Sequence, residues 1–316
     1  MRIKVLDRAA MGYDISFDAL NSFGEVELFD KTTAEELLEK IHDADVIILN
    51  KIKVTKEVLL SATNLKLVCV FATGYDNVDI VTAKERGIAV CNVPAYSTDS
   101  VVLTTIATTL SLVAHLNEYS AYVKSGEYSK GDSPNKLSPT YHELKGKTWG
   151  IIGYGNIGSS VAMVAEALGA NVIVNKRTAC ENLKVVDIDT LCKESDVITI
   201  HCPLNNETRE LINPARIALM KDGVVVVNEA RGAVLDETAV ADAVISGKIG
   251  AFGCDVYSLE PFPISHPYNR ILGMDNVILT PHYAWAAKEA RERCVNVICN
   301  NISSYINGGM LNRVDK

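Results

Sequence analysis

Two groups of residues in this 316-residue chain could do chemistry. The first is Gly153-Tyr154-Gly155-Asn156-Ile157-Gly158, a G-x-G-x-x-G directly after the uncharged run 148–152. Gly153 allows a tight turn, Gly155 lets backbone approach a pyrophosphate, and Gly158 lets the following helix pack closely on its strand. The start of that helix would face the anion with unpaired N–H groups and the positive end of its dipole. Alone the pattern is weak, because an ordinary turn can carry it. Here Ile157, Val161, Val164, Ala165 and Leu168 follow at helical spacing, Gly169 can end the helix, and 171–175 reads as a second strand. Strand, glycines, helix and strand in that order predict a dinucleotide-binding unit.

The second group stands at the ends of apolar runs. Residues 197–200 lead into His201-Cys202-Pro203, 224–227 into Asn228-Glu229-Ala230-Arg231-Gly232, 249–254 into Asp255, and 277–279 into Thr280-Pro281-His282. In open α/β sheets a ligand lies outside such strand ends, so these residues are candidates for one site. Arg231 offers a planar, permanently charged fork that suits a carboxylate and an adjacent oxygen. His282 can give or take a proton near neutral pH. The bland alternatives are a surface arginine and a structural histidine.

The elements that must position these groups alternate. Strands are expected at 3–6, 26–29, 46–49, 67–71 and 88–91, with helices at 34–41, its apolar face made by Leu37, Leu38 and Ile41, and at 77–86, stopped by Gly87. Asp99 is expected to cap a long helix that carries the chain to the second unit. Residues 131–139 read as a loop or arm, and 290–306 as an amphipathic helix packing back on the first unit. The prediction is an α/β protein with two Rossmann-like parallel-sheet domains and a cleft between them. A flavodoxin-like substrate domain would span 1–98 plus 286–316, and a dinucleotide-binding domain 99–285.

Composition narrows the function classes. A net charge of −8 argues against a nucleic-acid surface. Eight cysteines form no C-x-x-C and sit in apolar surroundings, as buried free thiols of a reducing compartment do. Met1 opens directly on a strand without a signal peptide, so a cytoplasmic location is expected. The uncharged stretch 100–117 contains too many threonines to suit a membrane span, and a buried helix between the domains is expected instead. His42, His115, His142 and His266 show no metal-ligand spacing and read as surface or satisfied core, and no metal is expected.

The chain also resembles a known family, the D-isomer-specific 2-hydroxyacid dehydrogenases. The resemblance is carried by Ala72-Thr73-Gly74-Tyr75-Asp76-Asn77-Val78-Asp79, Asn92-Val93-Pro94-Ala95-Tyr96-Ser97-Thr98 and the glycine run. It continues through His201-Cys202-Pro203-Leu204, Asn228 to Gly232, Asp255 with Glu260-Pro261, and Thr280-Pro281-His282. The run Ala72-Thr73-Gly74-Tyr75 and the run Pro281-His282-Tyr283-Ala284-Trp285 look closest to the glycerate dehydrogenase (hydroxypyruvate reductase) branch. Two positions depart from the family pattern: Val102-Leu103 where Ala-Glu is frequent, and Glu229 where Thr is frequent.

The resemblance implies hydride transfer between a nicotinamide cofactor and a small 2-oxo acid, hydroxypyruvate or glyoxylate being favoured. Arg231, Glu260 and His282 would be catalytic, with Glu260 orienting the imidazole and favouring its protonated form. The backbone N–H groups of Thr73 and Gly74 would join Arg231 and His282 in binding substrate, and Tyr75, Tyr96 and Trp285 would either close over it or pack between domains. Cofactor contacts are expected from the glycine run, Lys176, Arg177, Thr178, His201, Cys202, Pro203, Thr208, Glu229, Ala230, Asp255, His282 and Ala284, with Asp255 on the nicotinamide amide. The second strand of the unit ends in Lys176-Arg177-Thr178, not in the acid that would meet a ribose 2′-OH, so NADPH is expected over NADH. A homodimer is expected, with the Thr-rich stretch and the polar arm as covered surface. Three alternatives stay open: a cofactor-sensing regulator of the same fold, a dehydrogenase for another 2-oxo acid, or a phosphite oxidiser. Glu260 argues against a formate dehydrogenase, where Gln is expected.

Overall fold

The computed structural model describes residues 1–177 and 183–316. The chain divides into two compact units, Met1–Ser97 with Trp285–Lys316, and Thr98–Ala284.

In the first unit, strands β1 (Arg2–Val5), β2 (Glu25–Leu28), β3 (Val46–Leu49), β4 (Leu67–Val70) and β5 (Ala89–Cys91) form one parallel sheet ordered β2-β1-β3-β4-β5. That is the doubly wound order of flavodoxin-like domains. β3 and β4 are buried at every position, as parallel strands covered on both faces must be. The helix Lys288–Ile306 belongs to this unit and buries Ala290, Cys294, Val295, Ile298 and Ile302 in its core.

The second unit holds β6 (Thr148–Ile152), β7 (Asn171–Asn175), β8 (Lys184–Val185), β9 (Val197–Ile200), β10 (Val224–Asn228), β11 (Ile249–Cys254) and β12 (Val277–Leu279). Their order is β12-β11-β10-β9-β6-β7-β8, all parallel, so the chain reverses its direction of winding between β6 and β9. Ligands of such sheets lie at that switch point.

Three local expectations need correction. Leu38 is 45% exposed, whereas Leu37 and Ile41 are buried. Leu37 and Ile41, an i,i+4 pair, define the buried face, and Leu38 points about 100° away from Leu37 toward its edge. The helix expected over 77–86 forms only as Ile80–Glu85, because Asp79 caps it by accepting from the Thr82 N–H at 3.0 Å. Asn77 instead spends its side-chain amide on the Asn50 and Ile52 carbonyls. Asp99 lies in the first turn of the helix Thr98–Val113, not before it.

The uncharged stretch 100–117 is likewise two helices rather than one. The first ends at Val113, and the second (Leu116–Lys124) begins after His115, whose φ is +51°. Among the described residues no single helix is long and apolar enough to cross a membrane. Of the described cysteines, Cys69, Cys91, Cys192, Cys202, Cys254 and Cys294 are buried and free.

Candidate active site

Strand register builds the site. Ile152 pairs with Asn175 and with Ile200, Ile200 with Asn228, Asn228 with Cys254, and Cys254 with Leu279. One residue further on, Lys176, Gly153, His201, Glu229, Asp255 and Thr280 therefore stand in a row along the C-terminal edge of the second sheet. Every segment singled out from the sequence in this unit reaches that edge.

At the switch point the glycines meet their geometric demands. Gly153 has φ +91°, and a Cβ there would lie 2.7 Å from the Cys202 nitrogen. A Cβ on Gly158 would lie 2.1 Å from the Gly153 carbonyl oxygen, so helix and strand are packed as closely as backbone allows. Among the described residues nothing fills the space in front of Gly155, and no side chain caps the first turn of the helix Asn156–Ala167 that starts beside it. An uncapped helix start behind an open glycine fits a dinucleotide pyrophosphate.

Next to it, both ring nitrogens of His201 are shielded from water and have no hydrogen-bond partner among the described residues, although the residue as a whole is half-buried. Burial presses the His201 imidazole down to about 3 and pushes the Cys202 thiol up to about 11. A neutral, unpartnered imidazole beside the glycine turn can hydrogen-bond a bound ligand. The Lys176 ammonium lies 5.6 Å from the centre of the Tyr154 ring, and Arg177 is exposed. Thr178 lies outside the described residues. The Thr208 hydroxyl serves its own loop, donating to the Pro203 carbonyl at 2.6 Å and accepting from the Asn205 N–H at 2.8 Å. Ala230 donates its N–H to the Asn228 side chain, and Ala284 is buried.

His282 Nδ1 lies 2.7 Å from Glu260 Oε2, and both side chains are about a quarter exposed. A carboxylate accepts, so Nδ1 carries the hydrogen and Nε2 is left to exchange a proton. The other Glu260 oxygen accepts from the Tyr257 N–H at 3.1 Å, which holds the carboxylate in place. His282 itself has φ +53°, a conformation that needs outside support. Asp255 provides it: one oxygen accepts from the Thr280 hydroxyl at 2.6 Å and the Tyr283 N–H at 3.0 Å, the other from the Ala284 N–H at 2.9 Å. Asp255 is only 1% exposed, so its evident task is to brace the turn that carries His282, a role beyond the cofactor contact expected of it.

Arg231 donates to the Ala230 carbonyl at 2.7 Å and has no carboxylate partner among the described residues. Gly232, its neighbour, is there for lack of room: a Cβ would fall 2.0 Å from the Tyr257 carbonyl carbon.

The Glu229 side chain turns to the helix Thr98–Val113, where Thr104 donates to it at 2.7 Å and Thr105 at 2.9 Å. Burial drives this carboxyl up to about 7; the Thr104, Thr105 and Thr108 hydroxyls counter that, and nearby Asp255 adds to it. The threonines expected to form covered oligomer surface are thus used inside this unit, with Thr105 and Thr109 fully buried.

Thr73 and Gly74 belong to the first unit, just beyond the end of β4, and neither backbone N–H has an acceptor among the described residues. In the same unit Tyr96 is buried and packs edge-on against Trp285, with ring centres 6.3 Å apart, whereas Tyr75 is 38% exposed.

A parallel α/β unit with a glycine-bounded helix start, a carboxylate–imidazole pair and a guanidinium without a carboxylate partner among the described residues defines a nucleotide-dependent oxidoreductase class. Residues 106–284 match the family "D-isomer specific 2-hydroxyacid dehydrogenase, NAD binding domain". The chain belongs to that family. It is 39% identical, over the full length of both chains, to a hydroxypyruvate reductase of Blautia hydrogenotrophica. Among solved structures it resembles a D-lactate dehydrogenase from Aquifex aeolicus complexed with NAD and lactic acid. That match has TM-score 0.88 and 31% identity, and covers 100% of this chain and 99% of the other. An acyclic imino acid reductase in complex with NADPH and D-Arg aligns with TM-score 0.86 and 29% identity, covering 99% and 100%.

Proposed function

We propose that this chain reduces small 2-oxo acids, hydroxypyruvate or glyoxylate in preference to larger ones, and draws its hydride from NADPH rather than NADH. The observation that carries the reading is the 2.7 Å pairing of His282 with Glu260 in the same unit as Arg231, which has no carboxylate partner among the described residues, and the open glycine turn. A nicotinamide cofactor, held at the glycine turn and the start of the helix Asn156–Ala167, would supply the hydride that C2 of the acid accepts. The Arg231 fork holds the carboxylate and draws electron density from the ketone oxygen. His282 Nε2 passes its proton to that oxygen as the C=O π bond gives way to a new C–H and a new O–H bond, the C–O single bond remaining, and takes the proton back in the reverse reaction. Glu260 fixes the ring and balances its charge. The N–H groups of Thr73 and Gly74, which have no acceptor among the described residues, would be available to a carboxylate. In this reading the substrate domain is 1–98 plus 286–316 and the cofactor domain 99–285.

The small substrate is supported by the similarity to a hydroxypyruvate reductase along the whole chain. A panel of 2-oxo acids tests it, and much faster turnover of a bulky branched acid than of hydroxypyruvate would move the assignment.

The NADPH preference rests on the end of β7, where Lys176 and Arg177 stand in place of an acid. The next acid, Glu181, lies outside the described residues. Comparing kcat/KM for the two cofactors decides; Lys176→Asp combined with Arg177→Ala reverses the preference, and a wild-type enzyme tenfold better with NADH sinks the idea.

A homodimer is supported by a run of exposed apolar side chains in the second unit: Leu116, Val123, Tyr128, Leu137 and Tyr141. Light scattering that finds a monomer at micromolar concentration removes it. The buried free thiols suit the reducing cytoplasm.

A further inference from the structure

Glu237 opens the helix Glu237–Ile245, yet its carboxylate is not used there. Asp236 already caps that helix, accepting from the Ala239 N–H at 3.0 Å. The Glu237 side chain, 9% exposed, reaches instead into the loop between β11 and β12. One oxygen accepts from the Ser258 N–H at 2.9 Å; the other accepts from the Ser258 hydroxyl and, at 2.9 Å, from His266 Nε2. The histidine tautomer follows from its other side. His266 Nδ1 accepts from the Tyr268 N–H at 3.2 Å, so Nε2 carries the hydrogen that goes to Glu237. The ring of His266 stacks on Phe262 at 4.8 Å and meets Tyr268 edge-on at 4.9 Å, which leaves it one orientation.

A serine, a histidine and a glutamate together suggest a hydrolytic triad, but the connections are wrong. The hydroxyl donates to the carboxylate and not to the imidazole, so no base stands ready to activate it. What the cluster does is fasten the loop at 258 and again at 266, and Glu260 lies between these points. The fastened loop also touches the segments that carry Arg231 and His282. Gly232, next to Arg231, abuts the Tyr257–Ser258 peptide. The Tyr257 hydroxyl donates to the Thr280 carbonyl at 2.8 Å, two residues before His282. A buried ionic network is poor value for stability alone, because apolar packing does as well or better. Fully satisfied, it does define a unique geometry.

We propose that Glu237, with Ser258 and His266, is a positioning residue for catalysis: it holds Glu260 at the distance from which Glu260 orients His282. This rests on the reading of the chain as a 2-oxo acid reductase. The test uses the full-length protein and steady-state reduction of hydroxypyruvate by NADPH. Glu237→Gln, Ser258→Ala and His266→Phe, which keeps the ring packing, are each made alone and in a Glu260→Gln background. Activity of the wild type in the same assay checks the reductase reading separately.

For Glu237→Gln the expected result is a kcat lower by about tenfold, a KM for NADPH within about twofold of wild type, and less than about twofold further loss once Glu260 is already Gln. A scaffold that only supports the fold lowers both backgrounds alike. The proposal is overturned if folded Glu237→Gln keeps wild-type kcat, or if its loss is equally large in the two backgrounds. Should Glu237→Gln and His266→Phe fail to fold, Ser258→Ala removes one oxygen and decides alone: a kcat lower by about threefold that disappears in the Glu260→Gln background supports the proposal, and any other outcome overturns it.

Discussion

Replacing Glu229 by glutamine should make the protein more stable at alkaline pH and change it little at acidic pH. The carboxyl sits among Thr104, Thr105 and Thr108, with Asp255, Tyr283 and Cys254 as the other titratable groups within electrostatic reach. Its folded value is raised from 4.5 to about 7, chiefly because burial penalises the charge. The folded protein therefore keeps this proton while the unfolded chain loses it. Stability falls as pH rises through the window between those two values and is flat above it.

At about 1.4 kcal/mol per pH unit, the interval corresponds to a penalty of about 3 kcal/mol, of which about 2.5 develops between roughly pH 5 and roughly pH 8. Glutamine carries no charge at any pH and can still accept from the Thr104 and Thr105 hydroxyls. Urea unfolding of both proteins at the two pH values gives the quantity directly as a difference of differences. The expected result is a glutamine variant that gains about 2 to 3 kcal/mol on wild type as pH is raised. A difference independent of pH would refute the reasoning, because Glu229 would then titrate as an ordinary exposed carboxylate.

Gly158→Ala should raise the KM for the cofactor by at least about tenfold and lower stability, since its Cβ would fall 2.1 Å from the Gly153 carbonyl and force helix from strand; cofactor titration by fluorescence checks it, and unchanged affinity contradicts it. Arg231→Lys keeps the charge but loses the planar fork, so kcat/KM for hydroxypyruvate should fall by about a hundredfold or more while cofactor affinity stays within about threefold.

Much of this was legible in the sequence because parallel strands covered on both faces announce themselves as apolar runs. β7, β9, β11 and β12 begin and end where the runs at 171–175, 197–200, 249–254 and 277–279 do. The polar residues that close those runs fall on one sheet edge for a purely geometric reason: the strands are parallel and in register. Partnerships across the chain were not legible. Nothing near Glu229 in the sequence indicates that Thr104 and Thr105 lie beside its carboxylate, 125 and 124 residues earlier. The threonines therefore read as surface awaiting a partner molecule, when their partner was internal. The sequence leaves His266 as surface or satisfied core; the structure buries it against Glu237, 29 residues away, and no spacing rule connects them. Asp255 shows the same limit. Its place after an apolar run marks it as a site residue, but only the folded turn reveals that it braces His282.

The central claim is that His282, held by Glu260, delivers the proton in reduction of a 2-oxo acid. The most direct test is steady-state reduction of hydroxypyruvate by NADPH with the wild type and with His282→Ala, each shown to bind cofactor equally. The account predicts ready turnover by the wild type and a kcat lower by about a hundredfold or more in the variant, the range for loss of a general acid. Near-normal turnover by His282→Ala would contradict it.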